Sequence, residues 1–367
     1  MGISRLALRN FRNYKHCDLQ PECTLTVFVG PNASGKTNVI EAIQIITTGT
    51  SFRNPRWEDV VSWGESEALI SMTADGEGSH CDVDLHITSS AEKKWTVGGV
   101  TRRRTADATR FVPVVLFTPD DLSLVKGSAE NRRSQIDTLG DQLSATHQRL
   151  RRDYLHVLRQ RNALLREAGS PVELAAWDDQ LIRLGARLHI HRRRLAARIR
   201  LEAVPVYEHL SQGETLDIQL IGRSGSLSSS LEEEVALSVV ECAMADEIER
   251  RRRDEQTRQL SLVGPHRDDF LFLIGGRDAR AYASQGQQRT ITLAWKWAEV
   301  SVITEIMHRA PVLLLDDVMS ELDQERRRAL TDLVQRAVQT FITTTTTAYF
   351  EQELLHEASV IDIRSLY

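Results

Sequence analysis

One eight-residue loop constrains the fold of this chain more than any other feature of the sequence. Residues 30–37, Gly-Pro-Asn-Ala-Ser-Gly-Lys-Thr, have the phosphate-binding pattern G-x-x-x-x-G-K-[ST]. The loop follows a short β-rich run at 25–29 and precedes a segment, 38–46, with apolar residues at helical intervals. A strand, a Gly-rich turn and a helix in this order predict an α/β domain that binds a nucleotide.

The residue types of this loop match the chemistry of a triphosphate. Glycines let the backbone turn tightly, so that successive N–H groups converge on phosphate oxygens near the positive end of the helix dipole. We expect Lys36 to contact the β and γ phosphates of ATP and the Thr37 hydroxyl to be a ligand of Mg²⁺. The residues predicted to bind the nucleotide are Gly30, Pro31, Asn32, Ala33, Ser34, Gly35, Lys36, Thr37 and Asn38.

A second motif is an apolar run that ends in two acids, at 313–317. Adjacent carboxylates at the end of a buried strand need a compensating positive charge. We expect Asp316 to hold Mg²⁺, directly or through water, and Asp317 to orient or deprotonate the attacking water. Lys36 and Asp317 are therefore the predicted catalytic residues.

A third motif, Ser284-Gln285-Gly286-Gln287, precedes an apolar helical segment. Free N–H groups at a helix start suit an anion, but a serine with a polar first turn is also an ordinary N-cap. The residues alone leave both interpretations open.

The pattern of the chain changes twice along its length. Strand and turn patterns, including the alternating strand at 81–88, occupy the first part, and helical spacing dominates from about 143 to 205 and again at 231–253. Strand patterns return after residue 261. We therefore predict an α/β ATPase domain built from residues 1–140 and 259–367, with a helical insertion lobe at 141–258 and no long coiled coil.

Composition excludes several other classes of protein. The chain has 367 residues, of which 41% are hydrophobic, and it contains no apolar run long enough to span a membrane, so no membrane partner is expected. The four cysteines lack metal-ligand spacing and fit a reducing compartment, which predicts a cytoplasmic protein. The net charge of −5 argues against nucleic-acid binding by bulk charge, but the arginines are clustered.

The order of these motifs resembles that of the ABC-type ATPases and, within them, the RecF family of bacterial DNA-repair proteins, relatives of the SMC proteins. Several segments from both ends of the chain and from the insertion carry the resemblance. They are residues 8–14 (Leu-Arg-Asn-Phe-Arg-Asn-Tyr), 30–37, 117–122, 158–162 (Leu-Arg-Gln-Arg-Asn), 264–269 (Gly-Pro-His-Arg-Asp-Asp), 284–290 and 316–323. The chain departs from the general ABC pattern at Gln285, where glycine is usual, and at 343–345, where threonines occur in place of histidine.

The resemblance implies an ATP-gated homodimer in which each chain completes the other's site. Ser284, Gly286, Gln287 and Asp323 of one chain would then act in trans on the nucleotide bound by Lys36 of the other. Thr344 is the expected switch residue. Because a hydroxyl is no general base at neutral pH, we expect weak, DNA-dependent ATP hydrolysis.

The resemblance also implies partners and a cellular role. The expected partners are double-stranded and gapped DNA, RecO and RecR, and indirectly the RecA recombinase, in DNA replication, DNA repair and the SOS response. Contacts to DNA would be made mainly to phosphates. The candidate DNA-binding residues are Arg102, Arg103, Arg104, Arg132, Arg133, Arg192, Arg193 and Arg194.

Three other functions remain as alternatives. An unrelated P-loop kinase would explain Lys36 but would leave the Ser284 segment without a role. A transporter-associated ATPase would lack the helical insertion and would need a membrane partner. An SMC-like chromosome-organising protein, in which ATP has a structural role, would share every motif.

Overall fold

The computed structural model describes residues 2–76, 78–102, 111–167, 170–222, 231 and 235–366. The chain divides into two compact units. The first contains Met1–Leu122 and Glu299–Tyr367, and the second contains Ser123–Ala298. The predicted boundaries at 140/141 and 258/259 thus differ from these units, because α2 and the strands around residue 270 belong to the helical unit. The first unit is built from both ends of the chain, as the sequence predicts.

The elements follow one another as the printed sequence runs. The strands are β1 (Gly2–Phe11), β2 (Tyr14–Leu19), β3 (Leu25–Val29), β4 (Glu67–Gly76), β5 (Ser79–Thr88), β6 (Lys93–Val97), β7 (Val100–Arg102), β8 (Val114–Phe117), β9 (Leu216–Ile221), β10 (Asp269–Ile274), β11 (Arg277–Asp278), β12 (Val312–Asp316), β13 (Gln339–Thr344) and β14 (Ala358–Asp362). The helices are α1 (Lys36–Thr48), α2 (Ala129–Leu143), α3 (Ala145–Arg166), α4 (Pro171–Leu210), α5 (Leu237–Arg258), α6 (Ala279–Tyr282), α7 (Gln285–Met307), α8 (Gln324–Val334) and α9 (Gln352–His356).

A five-stranded parallel sheet positions the catalytic motifs of the first unit. Its order is β14-β3-β13-β12-β8, so β13 lies between the strand that precedes the phosphate-binding loop and the strand that ends in Asp316. The apolar run of β12 is fully buried, as expected for a central parallel strand. Because parallel strands end at the same edge, the loops after β3, β12 and β13 meet there.

A second sheet covers the other side of α1. It is antiparallel, with the order β2-β1-β4-β5-β6-β7, and α1 contacts strands of both sheets. The alternation predicted for the strand at 81–88 is confirmed, since Cys81, Val83, Leu85 and Ile87 are buried in β5. These side chains pack with α1 and with β12 and β13 in one core, which fixes α1 and the loop that precedes it.

The second unit combines long helices with the small antiparallel sheet β11-β10-β9. The predicted helical seam is present in α4, where Leu181 and Leu188 pack with Tyr154 and Val157 of α3 and with Ile248 of α5. With 40 residues, α4 is about 60 Å long. Across the described residues, no helix is both apolar enough and long enough to cross a bilayer.

Buried ion pairs hold the helices of the second unit together. The Arg161 guanidinium is fully buried and pairs with Asp178 and Glu255, each at 2.6 Å, and it donates to the Ser261 hydroxyl at 2.7 Å. Asn162 accepts hydrogen bonds from Ser261. A buried charge is tolerated when it is paired and hydrogen-bonded, so the 158–162 motif has a structural role here.

The segment 264–269 is packed against the same helices. The His266 Nδ1 lies 2.6 Å from the Tyr154 hydroxyl, and Arg192 donates to the carbonyl of Pro265 at 2.5 Å. Gly264 has φ 126°, and a Cβ atom there would lie 2.5 Å from the Tyr154 hydroxyl oxygen. Both the backbone conformation and the space require glycine at this position.

Candidate nucleotide-binding site

The loop at 30–37 curls around the side chain that follows it. Gly35 has φ 90° and forms the N-cap of α1, and Ala33 is also left-handed with φ 62°. The Lys36 ammonium group donates hydrogen bonds to the carbonyl oxygens of Gly30 at 2.7 Å and Pro31 at 2.8 Å. The loop therefore forms a cradle at a helix N-terminus with a cation at its centre, which suits a polyphosphate.

The first glycine of the loop is required by close packing. A Cβ atom on Gly30 would lie 2.6 Å from Ile363 Cγ2 and 2.9 Å from the Ser34 hydroxyl oxygen. The Gly30 N–H donates to the carbonyl of Thr344 at 3.3 Å, which ties the loop to the end of β13. Any side chain at this position would push the loop away from that strand.

The two acids of the second motif lie beside this cradle. Asp316 Oδ1 accepts hydrogen bonds from the Thr37 hydroxyl at 2.8 Å and the Thr343 hydroxyl at 2.7 Å. The Asp317 N–H donates to both the carbonyl and the hydroxyl oxygen of Thr343. The structure thus brings Lys36, Thr37, Asp316 and Asp317 together, as the sequence predicts.

Asp317 is held in an unusual environment. Its backbone is left-handed with φ 52°, and its Oδ1 is buried with no hydrogen-bond partner among the residues that the structure describes. Burial raises the pKa of Asp317 against the opposing effect of Lys36, and the charges of Asp316 and Glu321 raise it further. Strain and a perturbed carboxyl group of this kind concentrate at functional sites.

The cation of the site is also perturbed. Burial lowers the pKa of the Lys36 ammonium group, and the carboxylates of Asp317 and Asp316 act in the opposite direction. Bringing polyanionic phosphates to this lysine would favour its charged form further.

The oxygen atoms of Thr37 and Asp316 fit a magnesium ion. Mg²⁺ prefers oxygen ligands and is commonly held by one or two protein groups together with phosphates and water. The described residues contain no group of three or more His, Cys, Asp or Glu side chains that could hold a metal. A magnesium ion here would therefore share its ligands between these two side chains and a bound nucleotide.

Sequence reasoning assigned no role to several residues that support this site. The Tyr14 hydroxyl donates to the Gly35 carbonyl at 3.1 Å, and the Asn38 side chain donates to Asn13 at 2.6 Å, so the β1–β2 turn contacts the loop. The buried Glu41 of α1 forms a two-point ion pair with Arg12. The only signal for these contacts was the family-like segment at 8–14, which the residues alone did not connect to the loop.

Thr343, and not Thr344, has the side chain that contacts the acids. The Thr344 hydroxyl donates to the carbonyl of Thr346 at 2.9 Å. Successive residues of a strand face opposite sides, so only one of two neighbouring threonines can reach Asp316. The role of Thr344 as a switch stays a prediction, whereas Thr343 is positioned to link β13 to both acids.

The Ser284 segment forms the start of α7 in the second unit. The Ser284 hydroxyl accepts from the Gln287 N–H at 3.2 Å, and Gln287 Oε1 accepts from the Ser284 N–H at 2.8 Å. This reciprocal arrangement is a capping box, so the segment does form an N-cap. Because the Ser284 hydroxyl accepts in this pair, its own hydrogen can still be donated to a ligand. The role of Ser284, Gly286 and Gln287 in trans stays a prediction.

Asp323 also has a local role. Its carboxylate accepts from the Arg326 N–H at 3.0 Å and caps α8, and it pairs with the Arg326 guanidinium. Its contact with a second chain stays a prediction.

The basic clusters differ greatly in exposure. Arg132 and Arg192 are buried and form two-point ion pairs with Asp269 and Asp137, respectively. Their guanidinium groups are not available to DNA phosphates, and the hypothesis that they bind DNA is withdrawn.

The other predicted DNA-binding arginines have varied positions. Arg133 is half-buried and donates to the Asp268 carbonyl at 2.6 Å, and Arg193 is buried. Arg102 and Arg194 are exposed. Arg103 and Arg104 lie outside the described residues.

Comparisons with known proteins agree with this architecture. The family described as "RecF/RecN/SMC N terminal domain" matches residues 2–363. The chain is 37% identical to the DNA replication and repair protein RecF of Heliobacterium modesticaldum, covering 100% of this chain and 98% of that protein. It is 38% identical to the RecF protein of Symbiobacterium thermophilum, covering 94% and 92%. A solved structure of "the recombination mediator protein RecF-ATP in RecFOR pathway" is 27% identical, with a TM-score of 0.88, and covers 95% of this chain and 93% of that one.

Proposed function

Because the chain belongs to the RecF family of DNA replication and repair proteins, which are SMC-like ABC-type ATPases, we propose that it is an ATP-gated clamp on double-stranded DNA near single-strand gaps. Two chains bind two ATP molecules between them, and slow hydrolysis releases the clamp. The convergence of Lys36, Thr37, Asp316 and Asp317 at one sheet edge supports the nucleotide part of this proposal most directly.

The chemistry of the site follows from these four side chains. The cradle and Lys36 bind the β and γ phosphates, and Thr37 with Asp316 holds a magnesium ion that neutralises phosphate charge. Asp317 takes a proton from the attacking water, or orients it, because its buried Oδ1 can accept a hydrogen bond there. Its raised pKa brings it closer to the range in which a general base is efficient.

The proposed dimer uses the start of α7. Ser284, Gly286 and Gln287 offer a hydroxyl, a close backbone approach and an amide at a helix N-terminus, and each can favour the γ-phosphate of a partner subunit's nucleotide. A contact that forms only with the triphosphate shifts the monomer–dimer equilibrium through differential affinity.

The helix α4 carries the basic surface that we assign to DNA. Arg183, Arg187, Arg194 and Arg198 are all exposed. At 3.6 residues per turn these four arginines lie within an arc of about 60° along about 22 Å of the helix. A row of guanidinium groups on one helix face suits contacts to successive phosphates, with no readout of bases.

The proposed partners follow from the relatives. The solved relative is described as a recombination mediator in the RecFOR pathway. We extend this role to the present chain, in which RecO and RecR bind the DNA-bound clamp and RecA is loaded on the adjacent single strand.

The proposal is tested by ATP turnover with and without gapped duplex DNA, measured with binding of the same DNA at several salt concentrations. We expect DNA to stimulate phosphate release and salt to weaken binding. Turnover that requires a small-molecule acceptor would favour a kinase. Binding and dimerisation without turnover would favour a chromosome-organising protein in which ATP is structural.

Substitutions on α4 test the DNA-binding surface. Replacing Arg183 and Arg187 with Gln should lower the slope of log affinity against log salt by about 2, because each phosphate contact contributes about 0.9. The double variant Arg253→Gln with Arg258→Gln removes two exposed arginines of α5 and serves as the control. Equal slopes for both double variants would exclude the α4 surface.

A further inference from the structure

The side chain of Gln287 is fully engaged in this structure. Its Oε1 accepts from the Ser284 N–H at 2.8 Å. Its Nε2 donates to both carboxylate oxygens of Glu214, at 2.9 and 3.0 Å. The amide group that would donate to a phosphate is thus held by a carboxylate.

Glu214 is itself anchored. It lies in the short connection between α4 and β9, and its Oε2 accepts from the hydroxyl of the buried Tyr207 at 3.0 Å. The Glu214 carbonyl accepts from the Ser211 hydroxyl, and the neighbouring Thr215 carbonyl accepts from the Gly275 N–H at 3.0 Å. The carboxylate is therefore held in place beside the start of α7 by contacts from α4 and from the β10–β11 turn.

A carboxylate at this position opposes the binding of a phosphate by the same segment. The γ-phosphate is the most negatively charged part of ATP, and two like charges a few ångströms apart repel each other wherever water screens them incompletely. In addition, Gln287 must break its hydrogen bonds to Glu214 before its Nε2 can donate to a phosphate oxygen. Both effects disfavour closure of the dimer.

We propose that Glu214 is a built-in brake on nucleotide-driven dimerisation. It holds the Gln287 amide and adds a repulsive charge at the surface that receives the partner subunit's nucleotide. The brake rests on the proposed function, because it acts on the ATP-gated dimer. It keeps the affinity between the two chains low enough for the clamp to open after hydrolysis.

The experiment measures the dimer dissociation constant by sedimentation with ATP for the full chain and three variants. Glu214→Ala removes both the hold and the charge, and we expect it to tighten the dimer roughly tenfold. Glu214→Gln keeps a hydrogen-bond acceptor but no charge, and its advantage over the unsubstituted chain should shrink at high salt. Glu202→Ala, an exposed glutamate of α4, is the matched control and should change nothing.

The outcomes separate the brake from the proposed function. ATP binding to the monomer serves as the check on folding, since it should be the same in all four proteins. An unchanged or weaker dimer for Glu214→Ala, in a chain that does dimerise with ATP, overturns the brake alone. Failure of every variant to dimerise with ATP overturns the proposed function and the brake with it.

Discussion

Lys36 lies at the point where the phosphate-binding loop closes on itself. Its ammonium group donates to two loop carbonyls, those of Gly30 and Pro31, and it is the nearest cation to Asp317. A bound triphosphate would exchange these carbonyls for phosphate oxygens while keeping the lysine charged. The residue therefore supports the shape of the loop and supplies the charge that phosphates need.

Replacement of Lys36 by Ala is expected to weaken ATP binding at least about 100-fold, because two charge-assisted hydrogen bonds together contribute about 3 kcal/mol or more. Titration of the monomer with a fluorescent ATP analogue measures this loss. Lys15→Ala, at an exposed position of β2, is the control. Equal affinities for the two variants would show that the loop does not bind the nucleotide.

Asp317 and Asp316 are neighbours with different surroundings, which predicts different effects for the same substitution. Asp317→Asn should leave ATP binding intact but slow hydrolysis at least about 100-fold, since general-base catalysis contributes that much. It should accumulate an ATP-bound dimer. Asp316→Asn should instead weaken the magnesium-dependent part of ATP binding, because its Oδ1 is the atom bonded to Thr37.

Single-turnover hydrolysis and light scattering distinguish the two variants. An Asp317→Asn protein that hydrolyses ATP at the original rate would contradict the assignment of the general base. One that stays monomeric with ATP would contradict the separation of binding from hydrolysis.

The individual residues of this site show what the sequence can and cannot predict. The loop and the two acids were predictable because their chemistry restricts both residue type and spacing. Thr343 was not, since two adjacent threonines are equivalent until the strand fixes which one faces Asp316. Arg132 and Arg192 were misassigned because their carboxylate partners lie 137 and 55 residues away in the chain.

At the scale of elements, the segment 264–269 is a packed connection with its own titratable group. His266 Nδ1 accepts from the Tyr154 hydroxyl, and its Nε2 lies 3.1 Å from the Ser261 carbonyl, an arrangement that suits the neutral ring. Burial lowers the pKa of His266 from 6.5 to about 4, although the Ser261 carbonyl opposes the shift.

This shift predicts how the stability of the second unit depends on pH. Between about pH 6.5 and 4 the unfolded chain binds a proton at His266 that the folded chain does not, so stability falls as the pH falls through this window. The expected loss between pH 7 and 5 is about 2 kcal/mol. Denaturant titrations at the two pH values measure it.

The variant His266→Gln should remove most of this pH dependence while lowering stability at pH 7. His209→Gln, at an exposed position of α4, should keep it. If His266→Gln loses as much stability between pH 7 and 5 as the unsubstituted chain, another group is responsible.

Helix boundaries show a second limit of the sequence. The helical pattern at 143–205 is in fact two helices, α3 and α4, and α4 begins with a capping box formed by Ser170 and Glu173 with Pro171 at the first helical position. These signals were present in the sequence and were missed because the apolar spacing resumes on the other side of the break. The seam itself was predicted correctly, since burial follows the 3.6-residue period.

For the whole molecule, the predicted plan of an ATPase head from both chain ends with a short helical insertion is confirmed by the fold and by the relatives. The boundaries were harder to predict. The chain crosses between the units at 122/123 and inside α7 at 298/299, where the sequence pattern does not change. Contacts between distant segments decide such boundaries, and composition does not report them.

The proposed dimer separates the two halves of each site onto two chains, which makes a specific prediction for Ser284. Ser284→Arg should leave ATP binding by the monomer unchanged but block ATP-dependent dimerisation, because a bulky cation occupies the surface that receives the partner subunit's nucleotide. Nucleotide titration and sedimentation of the same preparation measure both properties. Loss of both together would mean that Ser284 acts within its own chain.

The central claim is tested most directly by mixing two inactive variants, Lys36→Ala and Ser284→Arg, and measuring ATP turnover. In a mixed dimer, one site combines the intact loop of the Ser284→Arg chain with the intact Ser284 segment of the Lys36→Ala chain. Since half of the dimers in an equal mixture are mixed and each has one complete site, turnover should recover to about one quarter of that of the unsubstituted protein. A mixture no more active than its two components, or a Ser284→Arg protein that is fully active alone, would contradict the account.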